Sequence, residues 1–137
     1  MKVALITGAS SGMGREFVLQ LDQSEDFDEI WVVARRAERL EALRSEVRAP
    51  LRCLSLDLTA EESFRTLKEL LAAEKPEIAC LVNASGFGIF QAFAEAPLEG
   101  QLRMIDLNDK ALTALYDERY EVFRSLYPAL KAPFRAL

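Results

Sequence analysis

Histidine is absent from this 137-residue chain, and cysteine occurs only twice, as Cys53 and Cys80. Without imidazole there is no histidine-based nucleophile and base, and most zinc sites are excluded. The two thiols have neither C-x-x-C nor metal-ligand spacing, and each sits in an apolar run. They are expected to be buried and reduced, which suits a cytoplasmic protein. The formal net charge is −5 and no basic cluster opposes it, so nucleic acid is not an expected partner. No apolar run approaches bilayer-spanning length, and the charged, interrupted N-terminus does not read as a signal peptide. A membrane partner is therefore not expected. What remains is ordinary for a globular protein, 50% apolar and 28% charged, and amounts to one domain of chain.

Glycine is scarce too, with six in all, but three of them fall between residues 8 and 14. There the apolar run Val3-Ala4-Leu5-Ile6 empties into Thr7-Gly8-Ala9-Ser10-Ser11-Gly12-Met13-Gly14. A buried strand followed by a glycine-rich turn and a helix gives the G-x-x-x-G-x-G string its meaning. Phosphate approaches a backbone closely only where no Cβ intervenes, and Gly8, Gly12 and Gly14 supply such positions. The free N–H groups at the helix start then face the anion. Ser10, Ser11 and Met13 complete this candidate phosphate-holding segment. The alternative is a tight strand-to-helix turn that holds no ligand.

Apolar periodicity extends the pattern along the chain. Residues 2–6 read as a first strand, and a helix from 12 to about 23 should bury Phe17, Val18 and Leu21. Residues 29–34 form a second strand, apolar on both faces as a covered parallel sheet requires. Residues 36–48 read as a helix with Leu40, Leu43 and Val47 inward. A third strand is expected at 51–56. Thr59-Ala60-Glu61-Glu62 has the capping-box pattern and opens a helix carrying Phe64, Leu67 and Leu71, which Pro76 closes. Residues 78–83 form a fourth strand, and residues 84–96 a loop with Phe87, Phe90 and Phe93. Pro97 suits the first turn of a long helix bearing Leu98, Leu102, Ile105, Leu112 and Leu115. This β-α-β-α-β-α-β-α series predicts a Rossmann-like, doubly wound parallel α/β sheet of about four strands ordered 3-2-1-4. No strand is expected after residue 115, so the sheet reads as truncated.

The carboxyl edge of such a sheet is where ligands bind, and three strand exits carry candidates. The second strand ends in Ala34 and then Arg35-Arg36, where an acid would otherwise accept ribose hydroxyls. A carboxylate there would repel a 2′-phosphate, whereas a guanidinium binds it bidentately. NADP is thus expected ahead of NAD, although the pair could also simply begin a solvated helix. Asp57-Leu58 leaves the third strand. Asp57 could accept from an adenine amino group beside Leu58, or could instead cap the turn before Thr59. Asn83-Ala84-Ser85-Gly86 leaves the fourth strand, and Gly86 would let the backbone pass a ribose.

Together TGASSGMG (7–14), VVARRAERLEAL (32–43), Asp57-Leu58, LVNASG (81–86) and MIDLN (104–108) resemble the short-chain dehydrogenase/reductase family over residues 1–115. The resemblance implies a Rossmann-like fold, NAD(P)(H) as cofactor, and hydride transfer to or from a small carbonyl or alcohol substrate. It matches Asn108 to the Asn that supports a proton-relay water. In that family a Tyr with a Lys four residues on transfers the proton, and Tyr127 and Lys131 fit that spacing, which places both on one helical face. Two features depart from the pattern. Ser85 differs from the usual strand-four exit, and the stretch from Asn108 to Tyr127 is too short for a further strand and its Ser-bearing loop. Pro128 also falls just inside the helix that would carry the pair.

Residues 116–137 read as a separate aromatic helical tail. Tyr116, Tyr120, Phe123, Tyr127, Leu130, Phe134 and Leu137 recur at steps of four and three, a packing stripe interrupted by Pro128 and Pro133. This segment resembles the C-terminal tail of sugar kinases of the xylulose-kinase type, in which it packs and holds no phosphate. A fourth strand left at the sheet edge, apolar and uncharged over 78–82, invites self-association unless the tail folds across it.

Overall fold

The computed structural model describes residues 1–24, 26–89, 91–92, 94–110 and 113. Their order is β1 (Lys2–Thr7), α1 (Gly12–Ser24), β2 (Glu29–Ala34), α2 (Ala37–Ala42), β3 (Leu51–Ser55), α3 (Glu61–Glu74), β4 (Glu77–Asn83) and α4 (Leu98–Ile105). A 3-10 turn at Leu43–Ser45 extends α2, and a π-helical turn at Asp106–Lys110 extends α4. All strand pairs are parallel and the sheet order is β3-β2-β1-β4. That is the doubly wound arrangement expected from alternating strands and helices.

Two apolar layers sandwich the sheet because successive side chains of β1 and β2 point to opposite faces. Ala4, Ile6, Ile30 and Val32 pack with Val18, Leu40 and Leu43 on the α1/α2 side. Val3, Leu5, Trp31 and Val33 pack with Leu58 and Leu67 on the α3 side. Trp31 is fully buried, and its indole N–H donates to Glu29 Oε2 at 2.7 Å. The Arg52 guanidinium lies 4.9 Å from its ring and pairs with Glu29 and Glu74, linking β2, β3 and α3.

Asp22, at the end of α1, is only 6% exposed. Its carboxylate accepts from the backbone N–H groups of Arg48 (3.0 Å) and Ala49 (2.8 Å), tying α1 to the approach to β3. Burial works to raise its pKa. The Ala49 and Arg48 hydrogen bonds and the Arg48 charge outweigh burial and hold the carboxyl below its ordinary value.

Several local expectations are corrected. Phe17 is 46% exposed, since Val18 takes the inward position on α1 and Leu21 is half-buried. The helix expected over 36–48 is shorter, because after Leu43–Ser45 the chain leaves to meet Asp22. The capping box does not form: α3 starts at Glu61 with Ala60 at its N-cap and no side-chain cap. Thr59 instead donates through N and Oγ1 to Asp57 Oδ1 at 2.9 and 2.7 Å. Pro97 is the residue before α4 rather than part of its first turn, and Leu98, Leu102 and Ile105 are half or more exposed. Cys53 and Cys80 are half-buried rather than fully buried. Burial pushes the Cys53 thiol up, away from the thiolate. Leu112 and Leu115, and the whole tail 116–137, lie outside the described residues.

Candidate functional site

Backbone hydrogen bonds between strand exits set the shape of the carboxyl edge. Gly8 N–H donates to Val33 O (2.9 Å), Leu56 N–H to Ala34 O (3.1 Å) and Ala84 N–H to Thr7 O (3.3 Å). Ser85 N–H reaches Thr7 Oγ1 at 3.3 Å. These contacts hold the four exits around one cleft of about 290 Å3. Gly8, Ser10, Ser11, Gly12 and Met13 line it from the β1 exit, Arg35 and Arg36 from β2, Asp57 and Leu58 from β3, and Ala84, Ser85 and Gly86 from β4. Residues predicted from four separate stretches of sequence thus meet at one place.

The three glycines of the turn do different jobs. A Cβ on Gly8 would lie closer than 3.0 Å to the Ala84 carbonyl, and one on Gly14 would run into the Gly8 carbonyl. Both are needed for the chain to pack on itself, and Gly14 does not line the cleft. Gly12 has a φ of +56° and nothing within 4 Å of a built Cβ. It alone combines a left-handed turn with open space on the ligand side.

Arg36 Nη2 lies 3.4 Å from both the Ser10 and the Ser11 hydroxyl oxygens, joining the β2 exit to the glycine turn. The Arg35 side chain forms no hydrogen bond or ion pair among the described residues. Asp57 caps its own turn through Oδ1, which leaves Oδ2 for the cleft. Burial works to raise its pKa. The Thr59 hydrogen bonds and the positive charges of Arg35 and Arg103 lower it overall, so it stays a carboxylate acceptor.

Gly86 serves a neighbour as well as the cleft. A Cβ there would lie 2.9 Å from Asn108 Oδ1. Asn108 grips the exit loop with both ends of its amide, accepting from Phe87 N–H at 3.1 Å and donating to Phe87 O at 3.0 Å. It does not line the cleft. Asn83 does not line it either, and its side-chain oxygen is buried with no hydrogen-bond partner among the described residues. Tyr127 and Lys131 lie outside the described residues.

Sequence reasoning missed Ala34, Leu56 and Leu107 as lining residues. Ala34 and Leu56 sit at strand ends beside predicted positions, so topology could have supplied them. Leu107 depends on the π-helical turn after α4, which no local pattern announces. Among the described residues no cluster of acids and thiols could hold a metal ion, and no helix is long and apolar enough to cross a membrane.

A parallel sheet ordered 3-2-1-4, with its first exit a glycine turn open to a cleft, defines a truncated Rossmann-like α/β fold. The chain belongs to the short chain dehydrogenase family, whose model matches residues 2–125. It is 36% identical to serine 3-dehydrogenase of Rhizobium radiobacter over 108 residues, covering 76% of this chain and 41% of that protein. A short-chain dehydrogenase from Sphingobium yanoikuyae in complex with NADPH superposes with a TM-score of 0.74 at 32% identity, covering 85% of this chain and 46% of that one. Serine dehydrogenase complexed with NADP+ gives 0.73 at 29% identity over 86% and 47%. The chain spans less than half the length of these curated relatives.

Proposed function

We propose that the chain is the NADP(H)-holding half of a short-chain oxidoreductase acting in the cytoplasm on a small carbonyl or alcohol. The observation that carries this reading is the β2 exit. The strand ends without an acid, Arg35 lines the cleft, and the Arg36 guanidinium reaches both serines of the glycine turn. That arrangement suits a dianionic 2′-phosphate and disfavours NAD. Gly12 and its neighbours would hold the diphosphate. Asp57, Leu58, Leu56 and Leu107 would take adenine, and the 84–86 exit would take ribose. When bound, the cofactor supplies or accepts the hydride. Asn108 would support the proton-relay water, and its bonds to Phe87 would fix the loop beside it. Tyr127 as proton donor and Lys131 as its partner complete the proposal from sequence alone.

A second reading is NADP(H) binding without turnover, acting as a module or hybrid fragment. It is favoured because the stretch from Asn108 to Tyr127 is too short for a further strand and its Ser-bearing loop. For residues 116–137 we propose a packing role with no phosphoryl transfer; the family match itself runs on to residue 125. Titration with NADPH and NADH, then a panel of alcohols and ketones, separates the readings. Arg35→Ala should weaken NADPH roughly tenfold or more and NADH little, as loss of a charge-assisted contact implies. Equal losses for the two cofactors reject the 2′-phosphate role.

A further inference from the structure

Three serines line the cleft, and one of them is unengaged. The hydroxyls of Ser10 and Ser11 each face the Arg36 guanidinium at 3.4 Å. The Ser85 hydroxyl makes no hydrogen bond among the described residues, and it is open to solvent rather than buried. Its backbone, by contrast, is fastened on both sides. Ser85 N–H donates to Thr7 Oγ1 and Ala84 N–H to Thr7 O, both at 3.3 Å, and Thr7 is fully buried. The Ala84 carbonyl lies so close to Gly8 that no Cβ fits between them, and Gly86 leaves no room for one beside Asn108 Oδ1. A hydroxyl carried on so fixed a backbone meets a ligand at little ordering cost.

What it would bond follows from what the other exits lack. At about 290 Å3 the cleft is at the small end for a ligand site, and it suits one nucleotide of a dinucleotide rather than both. The β2 exit, Ala34 then Arg35 and Arg36, offers no acid to accept from the hydroxyls of an adenosine ribose. With a 2′-phosphate on the arginines and adenine beside Asp57 and Leu58, the ribose 3′-hydroxyl has no partner at the β2 or β3 exit. A serine hydroxyl donates and accepts, so it pairs with an alcohol in either direction. We propose that Ser85 is a binding residue for the cofactor: its hydroxyl hydrogen-bonds the 3′-hydroxyl of the adenosine ribose, from the β4 side of the cleft. The inference rests on the cofactor reading above and adds a side chain to what that reading treats as a passage of backbone.

The test is calorimetric titration of the full chain with ADP, with 3′-deoxyadenosine 5′-diphosphate and with NADPH. The unaltered chain should prefer ADP to its 3′-deoxy analogue about three- to tenfold, the scale of one uncharged hydrogen bond. Ser85→Ala should lose that factor for ADP and for NADPH yet bind the 3′-deoxy analogue as before, so that the preference vanishes. Its thermal midpoint without ligand should match the parent's, because the hydroxyl bonds nothing among the described residues. A merely structural role would lower the midpoint and weaken all three ligands alike. An unaltered chain indifferent to the missing 3′-hydroxyl overturns the inference. So does a preference for ADP that survives in Ser85→Ala, or an equal loss for the 3′-deoxy analogue. These results leave the cofactor reading standing so long as the unaltered chain binds NADPH. If it binds neither ADP nor NADPH, the cofactor reading fails first and the inference falls with it.

Discussion

At the scale of single residues, the glycine turn separates self-packing from ligand accommodation. Gly8→Ala and Gly14→Ala each drive a methyl into backbone carbonyls that cannot retreat, so both should unfold the chain or lower its thermal midpoint sharply. Gly12→Ala meets no atom and pays only for its left-handed φ, about 1 kcal/mol. It should fold, yet lose NADPH binding, because the new methyl points into the open space of the turn. Thermal unfolding read beside an NADPH titration distinguishes the two classes. A Gly14→Ala chain as stable as the parent would contradict the packing assignment.

At the scale of elements, Asp22 fastens α1 to the approach to β3, and the bond is sensitive to acid. Its pKa is depressed in the folded chain, so its contribution is complete above the unfolded value near 4 and disappears as pH falls through the lower folded value. Asp22→Ala should cost roughly 2–3 kcal/mol at neutral pH, because buried amides lose a charged acceptor. Asp22→Asn should flatten the drop in stability below about pH 4. Urea midpoints measured between pH 3 and 7 check both, and a parallel acid curve for Asp22→Asn would refute the assignment. The elements themselves were legible where one period dominated. The apolar runs at 3–6 and 30–33 could only be covered strands, and alternation with helices dictated their order. What escaped the pattern was decided by partners distant in sequence. Thr59 turned to Asp57 rather than to Glu62, the helix after Arg36 stopped short where Arg48 meets Asp22, and Phe17 gave its inward place to Val18. The site was legible in the same degree. Strand-exit residues were found, whereas Leu107 and the Asn108 grip on Phe87 required the return of α4.

For the whole molecule, the question is what lies beside β4, the last strand of the sheet among the described residues. Glu77 carries its one charge, and the rest of the strand has neither proline nor charge to discourage pairing. We expect a second copy to associate there unless the chain's own tail takes the place. Sedimentation of the full chain across a concentration series tells the two apart. Growth in mass with concentration supports association, and a compact monomer at high concentration assigns the position to the tail.

One further consequence comes from Trp31. As the chain's sole indole, sealed within the layer under α3 and bonded to Glu29, it is an optical gauge that needs no label. Its ultraviolet emission reports whether the interior is intact, at wavelengths distinct from nicotinamide light. A single cuvette can therefore register the soundness of the scaffold through the colour of that emission, and the arrival of a reduced cofactor through its quenching by transfer to the nicotinamide.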